Sequence, residues 1–494
     1  MKITNVFDGN LLADIQTDTA SDLEHKIESA LSAFRDRANW LQPYQRIEIL
    51  NKLATLVARD TQGLALSIAC EGGKPLRDAL VEVSRAINGI ECAISELQHF
   101  AGDEVPMGLT AAAKDRWAFT IREPIGPVAA ISAFNHPLNL IVHQVVPAMA
   151  TGCPVIVKPA ESTPITCLKF VALIHEAGLP KGLCQTFVVN DVALAERLVT
   201  DPRIAFVSFI GSAKVGWHLR SRVAAGTRIA LEHGGAAPVI IDRSVDLDAL
   251  IEPLVKGGFY HAGQVCVSVQ RIFVHETLKH ELIDRMTDRT RSLRVGDPTL
   301  LETEVGPLIH PREVVRVGNW VDEARSSGGL VTTGGERISD RFYAPTVIVE
   351  PDQFATVSQK EIFGPVVCIY GYCQLDEAIA RANSLPYAFQ ASVFSQYMDT
   401  ALRAARLLDA SAVMLNDHTA FRTDWMPFGG RRQSGIGVGG ISSAMREMTQ
   451  EKMIVFKLNP LASERLAHDH PQDKSFFLKH LGKSPSGGPS ILFD

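Results

Sequence analysis

The chain has 494 residues, of which 46% are hydrophobic and 21% charged, and a formal net charge of −6. That length exceeds what one ordinary core holds and predicts two or three domains in a globular protein. The mild acidity excludes nucleic acid or a membrane surface as the main partner, and the most apolar stretch, residues 127–134, is too short to cross a bilayer.

Met1–Asp8 has no long apolar core, so no signal peptide is expected. Eight cysteines lie at 70, 92, 153, 167, 184, 266, 368 and 373, with no CxxC and no Cys/His spacing that reads as a zinc site. A reducing cytoplasm and no metal are the expectation. The first hundred residues read as helical. Leu23, Ile27, Ala30, Leu31 and Phe34 form a stripe over 22–34, and 47–66 and 79–100 repeat the pattern. Residues 117–122 alternate like a strand, and 128–132 are a short apolar run. Strands at 155–157, 185–189, 204–209 and 227–231 then alternate with helices at 165–177, 191–199 and 214–225, which predicts a parallel α/β sheet. A second α/β series follows Gly234-Gly235. Its strands are 238–241, 271–274, 366–370, 391–394 and 412–415; its helices are 247–261, one starting near Glu276, 375–383 and 400–408. Residues 453–457 read as a last strand. The tail from Asn459 is polar and holds Pro471, Pro485 and Pro489; it reads as a surface-draped or disordered extension, or as a segment docking Ile491-Leu492-Phe493 on a neighbouring subunit.

Chemistry concentrates in two glycine-flanked loops. Cys266 stands in Gly263-Gln-Val-Cys266-Val-Ser268, and Glu232 lies 34 residues earlier in Leu231-Glu232-His233-Gly234-Gly235. A free thiol has a pKa of about 8.5 and attacks a carbonyl only as its thiolate. A neighbouring carboxylate can serve as base toward the thiol and then toward water. Phe209-Ile-Gly211-Ser212-Ala-Lys-Val-Gly216 follows a β-rich run and opens a helix, so Gly211 permits a tight turn and Ser212 lies where a helix N-terminus attracts a pyrophosphate. Gly435-Ile-Gly437-Val-Gly-Gly440 matches GxGxxG, but no clear strand precedes it and no βαβαβ unit can follow, so it reads as a loop.

With Pro124-Ile-Gly-Pro-Val128, Ala133-Phe134-Asn135-His136-Pro137, Lys158-Pro-Ala-Glu161, Glu361-Ile-Phe363-Gly-Pro365 and Pro427-Phe428-Gly-Gly430, these blocks closely resemble the aldehyde dehydrogenase superfamily from about residue 20 to 460. The resemblance implies an α/β fold: a Rossmann-type parallel-sheet domain over 1–114 and 124–233, an α/β catalytic domain over 234–444, and a small β oligomerisation arm over 115–123 and 445–460. Residues 461–494 are then a C-terminal extension, and a homodimer or homotetramer is expected. Lys158 and Glu161 would hold the adenosine ribose. A carboxylate accepts from both ribose hydroxyls and repels a 2′-phosphate, so NAD is expected rather than NADP. Phe134, Gly211, Ser212, Glu361 and Phe363 complete the implied cofactor site.

The mechanism carried by the resemblance has Cys266 attack the aldehyde, with the oxyanion between the Cys266 N–H and the Asn135 amide. Hydride leaves to the nicotinamide and Glu232 activates water against the thioester. Two positions depart from many hydrolytic relatives: Gln144 stands for a lysine, and Val438 or Gly439 for a glutamate, both assigned to proton relay, which puts the deacylation proton's route in question. His136, Asn139, Leu140 and His143 recur at helical spacing and share a face. With Tyr260, Arg422 and Phe428 they predict a short polar or anionic aldehyde: a semialdehyde, a hydroxyaldehyde, or a sulfo- or phosphonoacetaldehyde. A surface Arg422–Asp424 pair and a helix-start His136 are the plainer alternative. Acylation of coenzyme A, broad aldehyde specificity and a catalytically silent relative are the competing functions; Cys266, Glu232 and Asn135 together argue against the last.

Overall fold

The computed structural model describes residues 1–458, so the expectation for the C-terminal tail lies outside the described residues. Met1–Phe100 with Glu123–Gln450 forms one compact unit, and Ala101–Arg122 with the described residues from Glu451 forms a second.

In the larger unit, a six-stranded sheet is built around Val128–Ile131. That strand pairs in parallel with Val155–Lys158 on one side and Phe206–Ile210 on the other. Cys184–Thr186 and Arg228–Glu232 extend the two flanks in parallel, and Gly435–Ile436 adds an antiparallel edge in which Gly435 faces Glu232. Val128 and Ala130 pack with Val155, Val157, Leu53, Ile90 and Val145. Ala129 turns the other way, with Ile156, Val207, Leu23 and Ile27. Alternating side chains are thus buried on both faces, as expected where helices cover a parallel sheet on each side.

The chain crosses at Gly234-Gly235 into a seven-stranded sheet. Its spatial order is Leu330–Thr333, Thr346–Val349, Val366–Tyr372, Val269–His275, Ala237–Ile241, Gln390–Phe394, Ala412–Leu415. Only the Leu330–Thr333 pairing is antiparallel.

Several sequence expectations need correction. The helix read over 47–66 is two, Pro43–Arg59 and Thr61–Gly72. Asp60 separates them; its short polar side chain favours caps and turns over a helix interior. The helix read over 247–261 is a 3₁₀ turn at Leu247–Ala249, then Ile251–Phe259. It stops because His261 and Ala262 take left-handed backbone angles, φ 48° and 54°. The helix read to residue 225 ends at Arg220. Pro311–Ser326 is a helix the sequence reading passed over, although Pro311 at its first position and apolar Val314, Val317, Val321 and Ala324 mark it.

In the smaller unit, a three-stranded sheet has the order Thr449–Lys457, Arg116–Pro124, Glu104–Val105. Trp117, Phe119 and Phe456 stack with ring centroids 5.6–5.9 Å apart.

Candidate active site

Register places the loops. Ile131 pairs with both Lys158 and Phe209, and Ile210 with Glu232, so four parallel strands end at one edge. Residues 132–136, 159–162, 211–212 and 232–234 leave that edge together, outside the carboxyl ends where such sheets bind ligands. The second sheet supplies the opposite wall with segments that precede its strands: Cys266 before Val269–His275 and Glu361–Phe363 before Val366–Tyr372. Between them lies a cavity of about 530 Å³. Cys266, Glu232, Asn135, Lys158, Glu161, Phe134, Gly211, Ser212, Glu361, Phe363, His136, Asn139, Tyr260, Arg422 and Phe428 all line it. His143 does not; it lies behind the wall.

The nucleophile loop is held at several points. Gly263 has φ +68°, and a Cβ there would stand 2.1 Å from the Gly364 carbonyl oxygen, so only glycine fits. Gln264 is buried. Its Nε2 donates to the carbonyls of His261 and Pro307 at 3.2 and 3.3 Å, and its Oε1 accepts from the Ile309 N–H at 3.0 Å. Asn135 Nδ2 donates to the Gln264 carbonyl at 2.9 Å, which ties the predicted oxyanion donor to the cysteine loop. Ser268 Oγ bonds the Gly257 and Gly258 carbonyls behind.

Burial dominates the titration of the reactive groups. The Cys266 thiol is pushed up to about 12, by desolvation first and Glu361 next, against the pull of Arg422. Desolvation raises Glu232 to about 7, with Arg422 opposing, and Glu361 to about 8, with Arg316 opposing. A carboxyl near 7 is poised as a general base at neutral pH.

On the cofactor-facing side, Glu361 Oε1 is buried without a hydrogen-bond partner. A Cβ on Gly234 would stand 1.5 Å from that oxygen, so the carboxyl needs the glycine beside it. Phe134 meets Phe363 edge-on at 5.8 Å. Lys158 is buried, with Nζ on the Pro159 carbonyl at 3.2 Å, while Glu161 is exposed at the rim. Ser212 precedes the Ala213–Arg220 helix, and its hydroxyl makes no cap bond, which leaves it available to the cleft. A buried carboxyl with one oxygen unpaired, a free hydroxyl at a helix N-terminus and a rim carboxylate fit a ribose–diphosphate ligand. The rejected GxGxxG run is absent from the cavity wall.

The far end is assembled from helices. The Leu138 and Asn139 N–H groups, at the start of the Asn139–Thr151 helix, donate to Glu82 Oε1 at 2.9 and 3.0 Å. Glu82 also pairs with Lys74, and both side chains are fully buried. Tyr260 OH lies 3.3 Å from His136 Nε2. The surface Arg422–Asp424 pair does not form. Instead Asp424 is buried against Arg85, Asn139 and His143, and against desolvation His143 and Arg85 hold it well below the usual carboxylate range. Arg422 lies on the Phe428 ring, 3.6 Å from its centroid. Gln144 Nε2 donates to Ile131 O and to Ser208 O and Oγ, stapling helix to sheet. A Cβ on Gly439 would stand 2.2 Å from Glu232 Oε1, so the base occupies the space that a side chain at 439 would need.

Sequence reasoning missed Arg85, Gln264, His310 and Arg312, which also line the cavity. Arg85 is one of two arginines on a long helix, and nothing in its neighbours marks it. His310-Pro311-Arg312 was legible only as a helix start.

The sequence model of the Aldehyde dehydrogenase family matches residues 1–454, and the chain belongs to that family. It is 36% identical over 459 residues to 3-sulfolactaldehyde dehydrogenase of Priestia aryabhattai, covering 93% of this chain and 95% of the relative. It is 35% identical to aspartate-semialdehyde dehydrogenase 1 of Pseudomonas canavaninivorans, over 92% and 96% of the two chains. Among solved structures it superposes at TM-score 0.90 and 34% identity on aldehyde dehydrogenase 21 of Physcomitrella patens, in complex with the reaction product succinate, covering 93% and 95% of the chains.

Proposed function

We propose that the protein oxidises a short anionic aldehyde to its carboxylic acid with a nicotinamide dinucleotide, NAD in preference to NADP, through a thioester on Cys266. The observation that carries the substrate class is Arg422, a guanidinium without an ion-pair partner among the described residues, in the wall that also holds Cys266, Glu232 and Asn135. Guanidinium groups suit a carboxylate, sulfonate or phosphonate. The names of the relatives support the same class: sulfolactaldehyde, aspartate semialdehyde, and a succinate complex.

The bound dinucleotide supplies the hydride acceptor. Lys158, Glu161, Ser212 and Glu361 would hold it, and Glu161 at the rim disfavours a 2′-phosphate. A thiol near 12 carries little thiolate at neutral pH, so Glu232 takes its proton as the Cys266 sulfur adds to the aldehyde carbon. The Asn135 amide and the Cys266 N–H receive the oxygen; one such donor is worth about 3–4 kcal/mol in the transition state. After hydride leaves, Glu232 passes the thiol's proton to solvent and, ionised again, removes a proton from water, which adds to the thioester and expels the sulfur as a thiolate. The exposed Trp117, Met453, Val455 and Phe456 support a reading of the small sheet as a subunit-pairing arm.

The test is kinetic. Succinic semialdehyde and sulfoacetaldehyde are compared with the uncharged lactaldehyde, hexanal and benzaldehyde at saturating NAD, with and without coenzyme A. Higher kcat/KM on the anionic aldehydes, with free acid as product, is expected. Preference for hexanal, or an acyl-coenzyme A product, would overturn the reading.

A further inference from the structure

Asp424 is the centre of a buried network that joins the two cavity arginines. Arg85 reaches its Oδ1 through Nη2 at 2.8 Å and its Oδ2 through Nε at 3.3 Å. Asn139 Nδ2 donates to Oδ1 at 3.1 Å, and His143 Nε2 lies 2.9 Å from the same oxygen. The other ring nitrogen, His143 Nδ1, lies 3.2 Å from Arg422 Nη2. A guanidinium has donors only, so Nδ1 must accept. The proton is then on Nε2 and is donated to Asp424, which makes the imidazole neutral. Burial and the neighbouring Arg422 also favour that form, pushing the ring down to about 4.

The consequence is a charge count. Arg85 and Asp424 cancel as an ion pair. Arg422 forms no ion pair within 4.0 Å among the described residues. Its face is stacked on Phe428, and its Nε is buried with no hydrogen-bond partner. Arg422 therefore stands in the wall of the cavity without an ion-pair partner, separated from Asp424 by one neutral ring; Glu232 is the other carboxyl whose field reaches it.

We propose that His143 is a positioning residue, a neutral spacer that holds Arg422 at the cavity wall without letting it pair with Asp424, so that Arg422 takes a singly charged head group, a carboxylate or sulfonate. This rests on the anionic-aldehyde reading above and narrows it. A dianionic phosphonate would bring one charge more than Arg422 carries into a desolvated place beside Glu232, which is costly.

Full-length wild type, His143→Leu and His143→Gln are compared by steady-state kinetics at pH 8. The substrates are succinic semialdehyde, phosphonoacetaldehyde (largely dianionic there) and propanal; melting curves confirm that each variant is folded. Glutamine keeps an acceptor for Arg422 and a donor for Asp424, whereas leucine keeps neither. Wild type should prefer succinic semialdehyde to both other aldehydes. In His143→Leu its KM should rise about tenfold or more while kcat falls much less, and the preference over propanal should drop in proportion. His143→Gln should keep the preference within about threefold. Equal losses in folded His143→Leu and His143→Gln, or a preference retained by His143→Leu, would overturn the spacer role alone. Wild-type preference for phosphonoacetaldehyde would overturn the single-charge assignment. Wild-type preference for propanal would overturn the anionic-aldehyde reading itself.

Discussion

The two ends of the cavity handle buried charge in opposite ways. At the reactive end, Cys266, Glu232 and Glu361 are desolvated without a cation bonded to them, and all three are driven toward their neutral forms. At the far end, Asp424 has Arg85 and His143, and Glu82 has Lys74 and two helix N–H groups. Burial without a partner yields groups that titrate near working pH; burial with one yields fixed charges that shape a pocket. The reactive end carries a stability cost of a definite sign. Folded Glu232 and Glu361 hold their protons above the ordinary glutamate value of 4.5, up to about 7 and about 8. Whatever stability that protonation contributes is complete below about 4.5 and is lost as the pH rises through those values.

The largest effect that could break this contrast is at the sulfur. Cys266→Ser should lower kcat by about 10³-fold or more, and intact mass should show no acyl adduct with substrate and NAD. A variant that still makes NADH at the wild-type rate would remove the reactive end altogether. Next is Glu232→Gln, expected to slow single-turnover NADH formation and steady turnover together by about 10²–10⁴-fold, because one carboxylate serves both the thiol and the water. The same change sharpens the pH claim. Wild-type turnover should climb as pH rises through about 7, because the ionised carboxylate is the base, and the variant should lose that limb.

A stability effect tests the paired end. Glu82→Gln would leave the fully buried Lys74 ammonium without its carboxylate, at a cost of about 3–5 kcal/mol, read as a lower midpoint in denaturant. An unchanged midpoint would mean that the pair is not what stabilises that wall. The smallest effect is expected at Cys373, which is exposed and far from the cavity wall. Cys373→Ser should leave kcat/KM within about twofold of wild type, as a surface substitution away from such features should.

Much of the reactive end was legible in the chain because its parts are short and contiguous. Asn135 follows the apolar run 128–131, Glu232 ends a strand just before Gly234-Gly235, and Cys266 follows Gly263; parallel pairing brings the Asn135 and Glu232 strands to one edge. Element limits were less legible. Asp60 and the left-handed His261-Ala262 break helices that hydrophobic spacing continues. The far end resisted reading for another reason: its members are remote in sequence. Arg85 and Asp424 are 339 residues apart, and His143 and Asp424 are 281 apart.

By itself the sequence determined the alternation of strands and helices, the candidates for nucleophile and base, and the family, since each depends on local spacing and residue type. Only the tertiary structure decided which arginine is neutralised, that His143 stands behind the cavity wall rather than in it, and that Glu232 titrates near 7. Those properties depend on which buried charges become neighbours and how much water is excluded around them, and neither quantity exists until distant segments have packed together.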